Sequence, residues 1–450
     1  MLHTQNAFSK VAQSSSSVRQ QIPSLPDSRT YKIALIGTFA PRKCGIATFT
    51  EDLKSKVEAY HPNIEFDVFA LDRADAASLY PQDVRLVAAD GREAYRDAAE
   101  FINASGADAA WLQHEYGIFG GADGEFVCDL VDRLRVPLIV TFHTILSEPS
   151  HHQRVVLRRI LDKAAQAIVM SRHGRDLLID SYGAARESVT IIEHGAPDRP
   201  YGREIQFKTK LGVAGRPVLM TFGLLGPGKG IEHAIEALPA IAARHPDIVY
   251  RIVGATHPNL LREHGEEYRE RLKARVAQLG VESNVVWDDR FLDTNELLDQ
   301  IEACDIYLTP YPNLQQSTSG TLSYAVALGK AVVSTPYIHA RELLADNVGV
   351  LVPTADSSAI AKAVTTLLDE PQLLASIKGR AYARGRSTIW PRFAQASAAL
   401  ITKAASVQRL PVLADADRRT LEPDRDFRLD GNGMKPPCPA HITSYGVQAA

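Results

Sequence analysis

The sequence predicts an α/β protein made of two Rossmann-like doubly wound domains that face each other across a cleft. Two observations lead there. Short β-branched runs alternate with helical stretches of about 10–15 residues, which is the signature of a parallel sheet covered by helices on both faces. The alternation also breaks near residue 200 and starts again, so the pattern occurs twice in a chain of 450 residues, ample for two large domains.

In the first half, strands are predicted at Lys32–Ile36, Phe66–Phe69, Ala109–Leu112, Leu138–Thr141, Ala167–Val169 and Val189–Ile192. Helices are predicted between and beside them at Ile46–Tyr60, Arg92–Ala104, Gly124–Arg133, Gln153–Ala164 and Arg172–Ser181. Arg199–Phe207, carrying Pro200 and Gly202, reads as the linker. The second half gives strands at Pro217–Thr221, Val249–Val253, Val285–Trp287, Ile306–Thr309 and Ala331–Ser334. Its helices are Ile231–Arg244, Tyr268–Leu279, Thr294–Ala303, Thr321–Leu328 and Ala340–Leu344. The domains therefore run over 30–200 and 201–386. Residues 1–29, with Ser14 to Ser17 in a row, and 406–450, rich in proline and mixed charge, have no periodic apolar face and are expected to be disordered tails.

Composition narrows the function. With 45% hydrophobic and 23% charged residues the chain can bury a sizeable core. Fifty basic against 53 acidic side chains leave a net charge of −3, so no overall basic field recruits nucleic acid. Cys44, Cys128, Cys304 and Cys438 are far apart and form no C-x-x-C pair, which fits a reducing, cytoplasmic setting. No apolar run reaches the roughly 18 residues that an integral membrane segment needs.

Ligands of open α/β sheets bind outside the carboxyl ends of the strands, so the polar residues there are the candidates. His114, His143 and His194 each follow a predicted strand of the first domain and are placed on one edge, with Glu115 beside His114. The first strand runs into Pro41-Arg42-Lys43-Cys44-Gly45, where Gly45 lets a ligand approach backbone amides. The second domain opens with Gly223-Leu224-Leu225-Gly226-Pro227-Gly228-Lys229-Gly230. Small residues and one lysine between strand and helix suit an anion, although Lys229 is followed by glycine and the spacing is not that of a P-loop. Gln315-Gln316-Ser317-Thr318-Ser319-Gly320-Thr321 precedes a helix, and its free amides and positive dipole end would grip a diphosphate together with Lys229.

Taken in order, CGIATF at Cys44–Phe49, the HE and FH pairs around His114 and His143, HGAPD at His194–Asp198, GPGKGIEHAIEAL from Gly226 and SGTLSYAVALGKAVVSTP from Ser319 resemble the family 4 retaining glycosyltransferases of the GT-B fold. The resemblance extends over roughly residues 31–405. It implies transfer of a hexose from a nucleotide diphosphate sugar, of the GDP-mannose or UDP-glucose type, to a hydroxyl of a saccharide or glycoconjugate. The second domain would hold the donor and the first the acceptor, and residues 387–405 would form a helix crossing back onto the first domain. It implies donor contacts at Gly45, Gly228, Ser319, Gly320, Thr321 and Glu342, and catalytic roles for His143 and Lys229, with His114, Glu115 and His194 on the acceptor side.

Two departures stand out. Leu224 occupies the place of an arginine of the phosphate loop, and Gln316 and Tyr324 occupy those of a Glu-x7-Glu pair. Gln316 is then assigned a catalytic role at the donor sugar, Tyr324 to the ribose or base, and Arg290 to the second cation. No Asp-x-Asp lies at a strand end, so no metal and no further cofactor is expected, and leaving-group charge falls to Lys229 and helix amides. A glycoside phosphorylase or synthase of the same fold, and a non-catalytic nucleotide-sugar-binding scaffold, are the alternative readings.

Overall fold

The computed structural model describes residues 29–73 and 79–407. Both expected tails, with Cys438 and the pairs Asp415-x-Asp417 and Asp424-x-Asp426, lie almost entirely outside the described residues.

The first sheet is built from β1 (Tyr31–Gly37), β2 (Ile64–Asp72), β3 (Val84–Ala88), β4 (Ala109–His114), β5 (Leu138–Phe142), β6 (Ala164–Val169) and β7 (Val189–Ile191). The second holds β8 (Val218–Phe222), β9 (Val249–Val253), β10 (Val285–Asp288), β11 (Ile306–Thr309), β12 (Ala331–Ser334) and β13 (Val350–Leu351). The strand orders are β3-β2-β1-β4-β5-β6-β7 and β10-β9-β8-β11-β12-β13, with parallel pairing. Each order reverses beside its first strand, at β1/β4 and at β8/β11. The loops after those strands splay apart there and leave a crevice. The two crevices face each other.

Strand interiors are covered on both faces, so they read as continuous apolar runs: Ile33, Ala34, Leu35 and Ile36 are all fully buried. The Trp111 indole finds a partner within this core, donating to Thr141 Oγ1 at 2.8 Å. Helix Gly45–Tyr60 buries Ile46, Phe49, Leu53 and Val57, one face at helical spacing, and Cys44 Sγ caps it by accepting from the Ala47 amide at 3.3 Å. Helix His151–Lys163 begins with a capping box between Ser150 and Gln153.

The segment read as a linker is partly helical, Glu204–Lys210. Its approach is fixed by charge: Arg199 Nη1 donates to Asp299 Oδ1 at 2.9 Å and to Glu302 Oε1 at 2.8 Å, and Arg203 also binds Glu302. The short edge strands β3 and β13 and the helices Ser357–Asp369 and Pro371–Gly385 add to the elements read from the sequence. After these, helix Trp390–Val407 returns to the first domain. Its Phe393, Ala394, Ala398 and Ile401 share a core with Phe49, Leu53 and Val57, so the chain's last described helix packs on its first.

Candidate functional site

The two switch-point crevices enclose a cavity of about 340 Å³ between the domains. Its first-domain wall is the start of helix Gly45–Tyr60, with Gly45, Thr48, Phe49 and Glu51, together with His194 just beyond β7. Its second-domain wall is the loop after β8, with Gly223 and Leu224, the 290–297 segment and the helix start Gly320, Thr321 and Tyr324. Phe222, Val253, Leu292 and Leu297 make one side apolar, which suits a flat base or ring.

Behind this wall sits a polar chain. Lys229 is buried at 7% exposure, its Nζ 3.3 Å from Tyr311 Oη and 4.6 Å from that ring's centroid. Tyr311 Oη is 2.9 Å from Thr321 Oγ1, and Thr321 Oγ1 is 3.1 Å from Ser319 Oγ. Ser319 Oγ in turn accepts from the Leu322 amide at 3.3 Å and caps helix Gly320–Ala327. Among the described residues no carboxylate forms an ion pair with Lys229. A buried ammonium facing tyrosine and the positive end of a helix is an unbalanced charge, which an anion would balance. The turn bearing it needs glycine: Gly230 has φ +60°, and a Cβ there would stand 2.1 Å from the Pro310 carbonyl oxygen.

His194 meets the same helix start from the other domain. A Cβ on Gly320 would lie 2.8 Å from His194 Nε2, so only glycine permits the approach. His194 Nδ1 is 2.8 Å from the Gly195 carbonyl oxygen, which leaves Nε2 toward the cavity side, and burial lowers its pKa to about 4. His143 stands one layer behind, edge-on to Phe49 at 5.1 Å, its Nε2 3.1 Å from Gln113 Oε1. Burial, with smaller contributions from His194 and His114, lowers its pKa to about 3.

Several sequence assignments need correction. His114 is fully enclosed among Tyr116, Phe119 and Phe142, and neither ring nitrogen has a partner among the described residues, so it faces the first domain's core instead of the acceptor side. Glu115 is buried too, accepting from Thr144 Oγ1 at 2.5 Å and the Tyr116 amide at 3.0 Å, with desolvation raising its pKa to about 7. Glu342 lies away from the cavity; its two oxygens accept from the Arg172 and His173 amides at 2.9 and 2.7 Å, capping a first-domain helix. Arg290 does line the cavity, but Asp288 holds its Nη2 at 2.9 Å and Glu296 its Nη1 at 3.3 Å, so its charge is already balanced. Gln316 turns back on its own loop, donating to the Thr318 carbonyl at 3.0 Å. Its neighbour Gln315 crosses instead, accepting from Ser147 Oγ of the first domain at 3.2 Å. Gly228 sits in the turn before Lys229, with open space where a Cβ would be. Ser319 is wholly buried and acts as a cap.

Asp52 and Lys43 escaped sequence reasoning. Tyr324 Oη donates to Asp52 Oδ2 at 3.0 Å across the domains, and desolvation raises the Asp52 pKa despite that bond. Lys43, exposed and without an ion pair among the described residues, has its Nζ 6.0 Å from the ring centroid of Phe291 on the cavity's far lip. Gly45, two residues on, lines the cavity, and a loop lysine two residues before a glycine was the only signal for Lys43.

Residues 203–384 match the family model described as Glycosyl transferases group 1. Among relatives, the chain is 30% identical over 243 residues to a GDP-mannose-dependent alpha-(1-6)-phosphatidylinositol monomannoside mannosyltransferase of Mycolicibacterium smegmatis, across 51% of this chain and 60% of that one. It is 24% identical to a D-inositol 3-phosphate glycosyltransferase of Corynebacterium glutamicum, across 62% of this chain and 69% of that one. The chain thus spans about 60% of the length of the first of these relatives. In fold it is similar to Thermosynechococcus elongatus sucrose-phosphate synthase, with a TM-score of 0.67 at 17% identity, over 84% of this chain and 100% of that one. It is likewise similar to Anabaena HepE in complex with UDP, with a TM-score of 0.65 at 19% identity, over 83% and 100%. The two-domain architecture is the GT-B fold.

Proposed function

We propose, from the match of residues 203–384 to the glycosyl transferases group 1 model, that the protein is a retaining glycosyltransferase that moves a hexose from a nucleotide diphosphate sugar to a hydroxyl of a saccharide or glycoconjugate. The observation that carries this reading is Lys229, a buried ammonium without a carboxylate partner among the described residues, linked through Tyr311 and Thr321 to the capped helix start at Ser319. A diphosphate between Lys229 and the Gly320 and Thr321 amides would meet positive charge on two sides, and the base would lie against Leu292 and Leu297.

As the sugar–phosphate bond breaks, negative charge grows on the departing diphosphate, and pre-oriented donors stabilise it there more than in the ground state. Lys43 serves as the second cation in place of Arg290, because it forms no ion pair among the described residues and its Nζ is 6.0 Å from the ring centroid of Phe291, which lines the cavity. No divalent ion is needed in this reading. The acceptor hydroxyl attacks from the face the diphosphate leaves, with a phosphate oxygen in position to take its proton. His194, neutral because burial lowers its pKa to about 4, is a hydrogen-bonding group for the donor sugar or acceptor and carries no charge at neutral pH. His143, one layer back, positions Phe49 and the helix that bears it.

The test is nucleotide release from UDP-glucose and from GDP-mannose in the presence of an acceptor panel, with the product anomer read by NMR. An α-linked product from an α-linked donor is expected. Nucleotide diphosphate binding with no transfer to any acceptor would favour the scaffold reading, and phosphate-dependent cleavage of a glycoside would favour the phosphorylase.

A further inference from the structure

A second cavity, larger than the first at about 730 Å³, lies on the opposite side of the domain junction. Successive residues separate the two: His194 lines the first cavity and Glu193 the second. Phe393 lines the second and packs edge-on against Phe49 of the first at 5.7 Å, so aromatic rings form the partition.

The charges on its walls are uneven. Of its three acids, Glu193 is taken up by Arg384 and by Ser387 Oγ, the latter at 3.2 Å. Glu342 accepts from the Arg172 and His173 amides at 2.9 and 2.7 Å but keeps its charge, so Glu342 and Asp346 are the two acids that no arginine neutralises. Opposite stand the guanidinium groups of Arg172 from the first domain, Arg341 from the second and Arg392 from the crossing helix. None of these three forms an ion pair among the described residues. They rim a floor that includes Ile192 and Phe393.

We propose that this rear cavity is a binding site for a phosphorylated saccharide. Guanidinium forks match the geometry of a phosphate group and would hold it from both domains at once. The apolar floor accepts the C–H face of a sugar ring, and the volume is that of a small-molecule site. Nothing in this reading depends on transfer chemistry in the first cavity.

The probes are glucose 6-phosphate, glucose and inorganic phosphate, titrated by calorimetry into the full chain. A Lys229→Ala variant, with the front cavity's cation removed, and an Arg341→Ala/Arg392→Ala variant are titrated alongside. Both arginines are exposed and unpaired, so the double variant should keep the parent's melting temperature. Saturable glucose 6-phosphate binding is expected in the parent and in Lys229→Ala. It should weaken by about ten-fold or more in the arginine variant, since each charged hydrogen bond is worth roughly that factor. Glucose alone should not bind, and inorganic phosphate should bind more weakly than the hexose phosphate. Absence of binding below about 10 mM, binding unchanged in the arginine variant, or loss of binding in Lys229→Ala would each overturn the proposal. Equal affinity for inorganic phosphate would overturn its saccharide part.

Discussion

The Tyr324 hydroxyl donates to Asp52 Oδ2 at 3.0 Å, joining a helix of the second domain to a helix of the first. Each helix presents its first residue, Gly320 or Gly45, to the cavity. The bond therefore fixes the distance between two helix starts that would share one ligand.

Breaking that bond leaves a desolvated carboxyl without its phenol donor, a loss of about 1–3 kcal/mol. Tyr324→Phe should weaken nucleotide diphosphate binding by about ten-fold, by relaxing the closed arrangement. Small-angle scattering should show a larger radius of gyration for the variant without ligand. An unchanged radius together with unchanged affinity would assign the bond to simple packing.

Gly320 and His194 are coupled by contact. Gly320→Ala places a methyl 2.8 Å from His194 Nε2 and should push the helix start away from the ligand. Transfer should fall by more than ten-fold, about 1.4 kcal/mol. His194→Ala should remove the clash, so the double variant should bind nucleotide better than Gly320→Ala alone. If the double variant binds as weakly as the single one, steric contact is not the cause.

His114, His143 and His339 have pKa values lowered to about 3, and His194 to about 4, chiefly by burial. In the unfolded chain each returns to about 6.5. The folded state then binds fewer protons than the unfolded state between about pH 4 and 6.5, so stability is complete above 6.5 and declines as pH falls through that window. Each histidine contributes a slope of up to about 1.4 kcal/mol per pH unit. Melting temperature should drop markedly from pH 7 to pH 5, and His114→Phe, whose ring nitrogens have no partner to lose, should flatten the curve.

Ending the chain after residue 386 removes Trp390, Phe393 and Ile401 from the core they share with Leu53 and Val57. Burial of large side chains is worth about 1.5–3 kcal/mol each, so this truncation should abolish stable folding of the first domain. Ending it after residue 407 should leave the melting temperature of the described core unchanged. Circular dichroism melts of the two truncations distinguish the cases.

Much of the fold was legible because parallel strands buried on both faces write long apolar runs; β1, with Ile33 to Ile36 fully buried, is an example. The edge strands β3 and β13 were not legible, because Arg85 and the two-residue Val350–Leu351 carry no comparable run. Helix Glu204–Lys210 was hidden behind Pro200 and Gly202, and what orders its approach is Arg199 reaching residues 100 and 103 positions away.

In the site, local signals pointed to Lys229, Gly320 and His194; the structure puts Gly320 and His194 on the cavity wall and Lys229 behind it, beside Tyr311. They misjudged His114, because a residue at a strand's end can face core or crevice and the sequence does not say which. Tyr324 and Asp52 lie 272 positions apart, so no local pattern joins them.

Calorimetric titration of nucleoside diphosphate against the matching nucleoside tests whether Lys229 and the helix start at Gly320 hold a diphosphate. Lys229→Ala should weaken the diphosphate by about 10- to 150-fold and leave the nucleoside within about two-fold, because the lost contact is charge-assisted and touches phosphate alone. Equal loss for both ligands, or none for either, would contradict the account.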